Sequence, residues 1–515
     1  MSKFYEKVAY HDVEEDIQSQ KSMDKWIFGL LLIVIGFVPL IVLGSVIEVQ
    51  SPLITNISTL MGGEKGDLFT HYKALVVVII TVLATLLFMA KILFMNGRIR
   101  KTKLNYAIGA FAVIIVLSTI FSPNITIALH GQYNRSDGAI SWLCYLALFF
   151  IAMNIEYPKK VVKYVTYAFT PLTIINFIII SFNFTGNDLL QHGWMNKLVT
   201  LFLPGDVNLS EGSHLVGTLN HGNYMSGMFA IIATMFLVNS IVSKNMLDKI
   251  SSFVLSILSI LIVLMSLSTS GFLTMIVMLP IILWIAFKHD KKMFALGQVI
   301  VFCIASVAGV HVLAKENAKV WDESFGFFIS SNPYQEESIS FNSDIFNWDN
   351  RVYAADAQFE LPAPAESGVG AGSGRVYIWS YIIDLVKDRP MLGYGLDTLI
   401  YNFPHNNKDA RANLETQEVI VDKPHNMYLG ILYGTGIIGF VAFLALILIV
   451  VGRSLKAVLN GKTSTIVLAV ATLAFLCQAV FNDTLPGTAA PLFIILGIMQ
   501  KKGSEDLTSE HIDEV

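Results

Sequence analysis

Apolar runs of about 17 to 25 residues recur along most of this chain, and each is long enough to cross the hydrocarbon core of a bilayer as a helix. Lipid offers the backbone no hydrogen-bond partners, so such a chain is restricted to helices that satisfy their own N–H and C=O groups. We read twelve spans, at residues 26–49, 73–95, 104–121, 138–155, 161–184, 222–243, 249–268, 271–287, 293–313, 427–451, 463–481 and 485–500. The seventh and eighth are joined by a tight Ser-Gly turn, and the last two are parted by Asn482, Asp483, Pro486 and Gly487. Composition agrees: 54% of residues are hydrophobic and 14% charged, well below the charged share of a soluble domain. The expected fold class is an all-α polytopic membrane protein with about 12 transmembrane helices and one large extracytoplasmic loop.

Lys and Arg supply an orientation, because short cytoplasmic loops are enriched in positive charge. The connections after the even-numbered spans hold Arg98, Arg100, Lys101, Lys103, Lys159, Lys160, Lys163, Lys244, Lys249, Lys288, Lys291, Lys292, Arg453, Lys456 and Lys462. The short connections on the other side hold only Lys65, Lys73, Arg135 and Lys197. Both termini are therefore expected in the cytoplasm. The first span lacks a small-residue cleavage site, so we read it as a retained anchor. The organisation expected is a cytoplasmic tail (1–25), spans one to nine (26–313), an extracytoplasmic loop (314–426), spans ten to twelve (427–500) and a second cytoplasmic tail (501–515).

The long loop is acidic overall. Its first half, Ser330 to Gly374, is rich in Ser, Asn, Pro and Gly and reads as irregular or mobile chain. Its second half opens with RVYIWSYIIDLVKD, in which Ile378, Ile382, Leu385 and Val386 recur at helical spacing beside Trp379, predicting an amphipathic interfacial helix over 375–388. Arg389-Pro390 and the glycines of Gly393-Tyr394-Gly395 end it.

A net charge of -4 argues against a nucleic-acid partner held by bulk positive charge. Cys144, Cys303 and Cys477 lie far apart in apolar runs and read as small core residues. No phosphate-binding glycine loop, G-x-S-x-G elbow, H-E-x-x-H or Cys/His zinc pattern is present, which leaves a substrate that arrives already activated. Span interiors are almost free of charge, unlike those of ion-coupled transporters.

Most histidines, including His130, His214, His221, His405 and His425, fall on the outer side, so any catalysis is expected there. His425 stands in Pro424-His425-Asn426 at the start of span ten, where a neutral imidazole can take a proton from an incoming hydroxyl. A helix N-cap at Asn426 with His425 merely adjacent explains the same residues, and local sequence leaves both readings open. Arg375 and Arg135 are placed to hold phosphate bidentately near the headgroups, or to anchor the chain at the interface. Arg351, Arg389 and Arg411 are further outer positives with weaker claims.

The ordered series Arg375-x3-Trp379, Arg389-Pro390-x2-Gly393-Tyr394-Gly395, Pro424-His425-Asn426-x-Tyr428 and Gly436-Ile437-Ile438-Gly439 resembles the signature of the O-antigen ligase and Wzy-type polysaccharide polymerase superfamily. Gly131-x3-Arg135-x2-Gly138, the Gly217–Asn223 stretch and Phe481-Asn482-Asp483 fit the same pattern. The resemblance implies a glycosyltransferase of the bacterial plasma membrane, acting on its outer face without metal, nucleotide or other cofactor. The donor would be a polyprenyl-pyrophosphate-linked glycan and the acceptor a hydroxyl of a carbohydrate or lipid-linked molecule. On this basis Arg135 and Arg375 would hold the donor pyrophosphate and His425 would be the base, oriented by Asn426. Arg389 and His221, within the same motifs, are further substrate-binding candidates. Many relatives carry Ser-Arg-Gly between spans seven and eight, where this chain has Ser268-Thr269-Ser270-Gly271. The rival reading is a transporter or flippase of the same lipid-linked glycan.

Overall fold

A computed structural model describes residues 13–55, 57, 60–189, 192–203, 217–329, 331–335, 375–405, 420–461 and 463–513. The expectation of irregular chain over 330–374 falls outside these residues, as do Arg351, Arg411 and His214. The described residues are mostly helical, with almost no strand.

Long helices run over Val13–Gly36 (α1), His71–Phe94 (α2), Lys103–Ile120 (α3), Ala139–Asn154 (α4), Val161–Phe184 (α5), Gly222–Val242 (α6), Met246–Met265 (α7), Thr269–Lys288 (α8) and Lys292–Glu316 (α9). After the long connection come Arg375–Asp388 (α10), Met427–Asn460 (α11), Thr463–Gln478 (α12) and Pro486–Asp513 (α13). Among the described residues nine helices, α1 to α3, α5 to α9 and α11, are long and apolar enough to cross a membrane, while α4 and α12 are shorter apolar helices. The molecule is a multi-pass membrane protein.

The first span needs correction. A helix over 26–49 is not formed: α1 stops at Gly36, a short 3-10 turn with Pro39 follows, and Ser45–Val49 (β1) pairs antiparallel with Gly63–Asp67 (β2). Gly36 and Pro39 are the physical cause, since the first is a poor helix former and the second cannot donate a backbone hydrogen bond.

At the centre stands α6, every residue of whose apolar window is buried. Its small residues let neighbours approach. A Cβ on Gly227 would lie 2.4 Å from the Gln478 amide of α12, and one on Gly271 of α8 would lie 2.3 Å from the Ser226 hydroxyl. In lipid such close backbone packing replaces the hydrophobic effect as the force between helices. Helices α7, α8 and α12 surround α6, while α13 packs on α4 and α11 on α3.

The amphipathic helix α10 forms over the residues read from the sequence, but its apolar face is covered by protein. Ile378, Ile382 and Val386 pack with Leu399, Phe403, Val421 and Tyr433, so α10 lies against the start of α11. There α11 is broken at Gly436, which has φ 67° and ψ -173°. The turn after α10 fits into the break: Ile437 donates to the Pro390 carbonyl (2.7 Å), Tyr394 to Tyr433 (3.1 Å) and Gly395 to Gly434 (2.9 Å). Tyr394 and Tyr433 stack with parallel rings 5.2 Å apart. A Cβ on Gly393 would stand 2.3 Å from the Tyr433 carbonyl oxygen, so the glycines of the motif are there for close backbone approach.

Candidate active site

One end of the bundle gathers ionisable side chains from segments far apart in sequence. Arg135 is presented by the tight loop between α3 and α4, where a Cβ on Gly138 would lie 2.4 Å from the Gly131 backbone nitrogen. Its guanidinium is buried. Nε donates to Asp397 Oδ1 (2.6 Å) and Nη1 to the Tyr224 hydroxyl (3.1 Å). Asp397 Oδ2 accepts the Gln132 backbone N–H (2.8 Å), so both carboxylate oxygens are used.

Tyr224, on the first turn of α6, links this pair to a second one. Lys423 lies 5.6 Å from its ring centre and forms an ion pair with Asp422 at 3.1 Å. Burial alone would push the Asp422 carboxyl up, but Lys423, Arg135 and His425 outweigh it and hold it at about 2. Burial, reinforced by Asp397, pushes Asp137 up to about 7, although it accepts hydrogen bonds from Tyr145 (3.0 Å) and Thr484 (2.5 Å).

His425 precedes α11 with φ 52°, a left-handed conformation uncommon for a residue with a side chain. The surrounding chain enforces it. The Trp379 indole of α10 donates to the Pro424 carbonyl (2.7 Å), the Asn426 N–H donates to Asp483 Oδ1 (3.3 Å), and the Met427 N–H reaches the Ala479 and Asn482 carbonyls at 2.9 and 3.0 Å. Strain of this kind persists only where neighbours over-determine the backbone. His425 Nδ1 stands 3.9 Å from Asp483 Oδ2, and 26% of its side chain is exposed. Burial, then the charges of Lys423, Arg375 and Arg135, lower its pKa well below the ordinary histidine value. The imidazole is therefore neutral at pH 7. Burial conversely raises the Asp483 carboxyl, against Arg135 and Lys423.

Arg375 begins α10 and reaches the same end, donating to the Phe481 carbonyl (3.1 Å) beside Asp483. No described carboxylate forms an ion pair with it, so Arg375 keeps spare guanidinium donors where Arg135 has committed two. Thr269, in the Ser268-Thr269-Ser270-Gly271 stretch where α8 begins, binds Glu323 through its N–H (2.9 Å) and its hydroxyl (2.5 Å).

Three further candidates end up elsewhere or in other work. Asn426 Oδ1 accepts the Leu429 N–H (3.1 Å) and caps α11; the group beside His425 is Asp483. His221 is exposed and caps α6, its Nδ1 accepting the Asn223 N–H at 3.2 Å. Arg389 follows the far end of α10, about 20 Å along the helix from Arg375 at 1.5 Å per residue, and lies over the Tyr394 ring (5.4 Å). The structure does not bring it to His425.

Lys423, Asp422, Asp397, Asp483 and Tyr224 are the site residues that sequence reasoning missed. Lys423 abuts Pro424-His425 and Asp483 closes Phe481-Asn482-Asp483, so position next to a motif was the available signal. Asp397 and Tyr224 offered none, being paired across 262 and 89 residues with Arg135.

The family model described as O-Antigen ligase matches residues 254–444. Residues 254–444 are thus similar to the O-antigen ligase family. A protein of Rickettsia felis (strain ATCC VR-1525 / URRWXCal2) named "Putative polysaccharide ligase" is 32% identical over 90 residues, a stretch that covers 18% of this chain and 21% of that protein. The resemblance read from the ordered motifs is thus borne out. The ligase-family region contributes Arg375, Asp397, Asp422, Lys423 and His425 to the cluster. Arg135, Tyr224 and Asp483 reach it from outside the matched residues.

Proposed function

We propose that this protein is a membrane glycosyltransferase that moves a glycan from a polyprenyl-pyrophosphate carrier to a hydroxyl acceptor on the outer face of a bacterial plasma membrane. The observation that supports this reading most is the neutral, part-exposed His425 beside Asp483 in a cluster that also holds Arg375, Arg135 and Lys423. Departure of the carrier diphosphate spreads negative charge over its oxygens, and fixed guanidinium and ammonium groups stabilise that charge without reorganising. Arg375, with donors to spare, is the diphosphate ligand of this proposal. Arg135 and Lys423, already paired with carboxylates, shape the positive field behind it. His425 takes the acceptor proton as the hydroxyl oxygen bonds to the anomeric carbon and the bond to the diphosphate breaks. The imidazolium so formed gains Asp483 as counterion. A positioned base of this kind contributes roughly 10² to 10⁴ in rate.

Purified protein, a lipid-linked donor and an oligosaccharide acceptor in detergent should yield transferred glycan without added metal. Detergent removes the compartments that a transporter needs, so absence of product from active-donor preparations would overturn the transferase reading in favour of passage of the lipid-linked glycan.

A further inference from the structure

A large cavity among the described residues lies at the other end of the bundle. It has a volume of about 1820 Å³, larger than a drug-sized ligand pocket. The clefts beside Arg135 and Asp483 measure about 40 and 30 Å³. Along α6 the two ends are separated by about 30 Å, from a helix of 21 residues rising 1.5 Å each.

Four connections meet there, and three of them bring lysines. Lys159, Lys160 and Lys163 come from the start of α5, Lys244 and Lys249 from the α6–α7 turn, and Lys288 and Lys291 from the end of α8, all lining the cavity. Among the described residues only two carboxylates line it with them, Asp248 and Asp290. Asp248 is already engaged by Lys163 (3.0 Å) and by the Tyr167 hydroxyl (3.3 Å). Burial and then the Lys249 charge lower the pKa of His289, which lines the same cavity, against the opposing pull of Asp290. The lysines therefore carry a positive field that the chain does not neutralise locally. Toward the bundle interior the lining changes. Val162, Phe236, Leu255 and Ile285 form an apolar floor, with Thr166, Thr170 and Pro171 beside them.

We propose that this cavity binds an anionic phospholipid, its phosphate held among the lysines and an acyl chain laid along the Val162, Phe236, Leu255 and Ile285 floor. A positive rim above hydrocarbon, at the ends of membrane-spanning helices, matches the two halves of such a molecule. A soluble phosphate compound would use only the first half. Each lysine near a membrane phosphate is worth about a fivefold change in affinity.

The test titrates the purified full chain in neutral detergent with dioleoyl phosphatidylglycerol or dioleoyl phosphatidylcholine, reading bound lipid by native mass spectrometry and protection by thermal unfolding. Phosphatidylglycerol should bind at least tenfold more tightly. The triple variant Lys160→Gln, Lys244→Gln and Lys291→Gln should weaken that binding about a hundredfold. The corresponding Lys→Arg triple should retain it, which separates loss of charge from loss of fold. Lys101→Gln with Lys103→Gln and Lys456→Gln, outside the cavity, should change nothing. Equal binding of the two lipids, equal loss from the outside triple, or displacement of the lipid by millimolar inorganic pyrophosphate would overturn the proposal. The last outcome would assign the site to a soluble anion.

Discussion

Oδ2 of Asp483 lies 3.9 Å from Nδ1 of His425, with no hydrogen-bond partner among the described residues although it is buried. Leaving a buried carboxylate oxygen unsatisfied costs about 1 to 3 kcal/mol. On the proposed mechanism, closing that gap when a proton reaches the imidazole would recover this energy at the moment of reaction. His425→Ala should lower transfer by roughly 10² to 10⁴-fold, with insertion and yield unchanged. Asp483→Asn, which keeps the backbone contact to Asn426, should cost less than His425→Ala, and the double variant should be no slower than His425→Ala alone. Additive losses in a single-turnover assay would show that the two residues act separately.

Arg375 offers a sharper contrast. Lysine keeps its charge but cannot present two parallel N–H donors, so Arg375→Lys should retain only a small part of the rate while Arg375→Ala retains none. Donor titrations of kcat and KM check this. A near-normal rate in Arg375→Lys would make the group a point charge and not a bidentate clamp.

The pH profile follows from the sign of the histidine shift. On the proposed mechanism His425 acts when neutral, and burial with neighbouring cations lowers its pKa below 6.5. Activity should therefore be flat from pH 6.5 to 8 and fall only as pH drops through the lowered value. Replacing Lys423 by Met removes one of those cations and should move the acid limb to higher pH. An acid limb that stays in place would remove His425 as the titrating group.

Arg135 and Asp397 form a buried ion pair, with side chains 5% and 3% exposed. Removing one member of such a pair strands a charge and costs roughly 3 to 5 kcal/mol, while removing both costs less. Thermal unfolding in detergent should show Arg135→Ala less stable than Arg135→Ala with Asp397→Ala. Full stability of the single variant, with weakened donor binding, would instead make Arg135 chiefly a substrate ligand.

Two glycines of α11 should respond oppositely to alanine. Gly436 adopts φ 67° and a Cβ there would stand 2.4 Å from the Met391 carbonyl oxygen, whereas one on Gly452 meets nothing within 4 Å. Gly436→Ala should cost about 3 kcal/mol or more from strain and overlap, and Gly452→Ala should be neutral or stabilising by up to about 1 kcal/mol. Melting temperatures of the two variants decide it.

The helices were legible because lipid forces a single solution on long apolar segments. The 375–388 helix was legible because Ile378, Ile382 and Val386 share one face. The β1–β2 pairing was not, since its first strand reads as the tail of an apolar run and its register with Gly63–Asp67 is a tertiary property. His425, Arg375 and Arg135 announced themselves as charged or titratable residues in short motifs. Their carboxylate partners did not, because Asp397 and Asp483 acquire meaning only once α6, α11 and the α12–α13 turn are packed together. Arg389 lies past the opposite end of α10 from Arg375, a separation that motif order does not carry.

The break in α11 gives its first two turns a separate mechanical identity. Residues 427–435 are bolted to the 390–395 turn through paired carbonyls and stacked tyrosines, and to α10 through Trp379 and Pro424. The three pieces form one lever resting on the end of the bundle that holds the charged cluster. On the proposed mechanism, a bulky acceptor that tilts α10 would swing the imidazole with it, which would couple the size of the incoming sugar chain to the alignment of the proton acceptor.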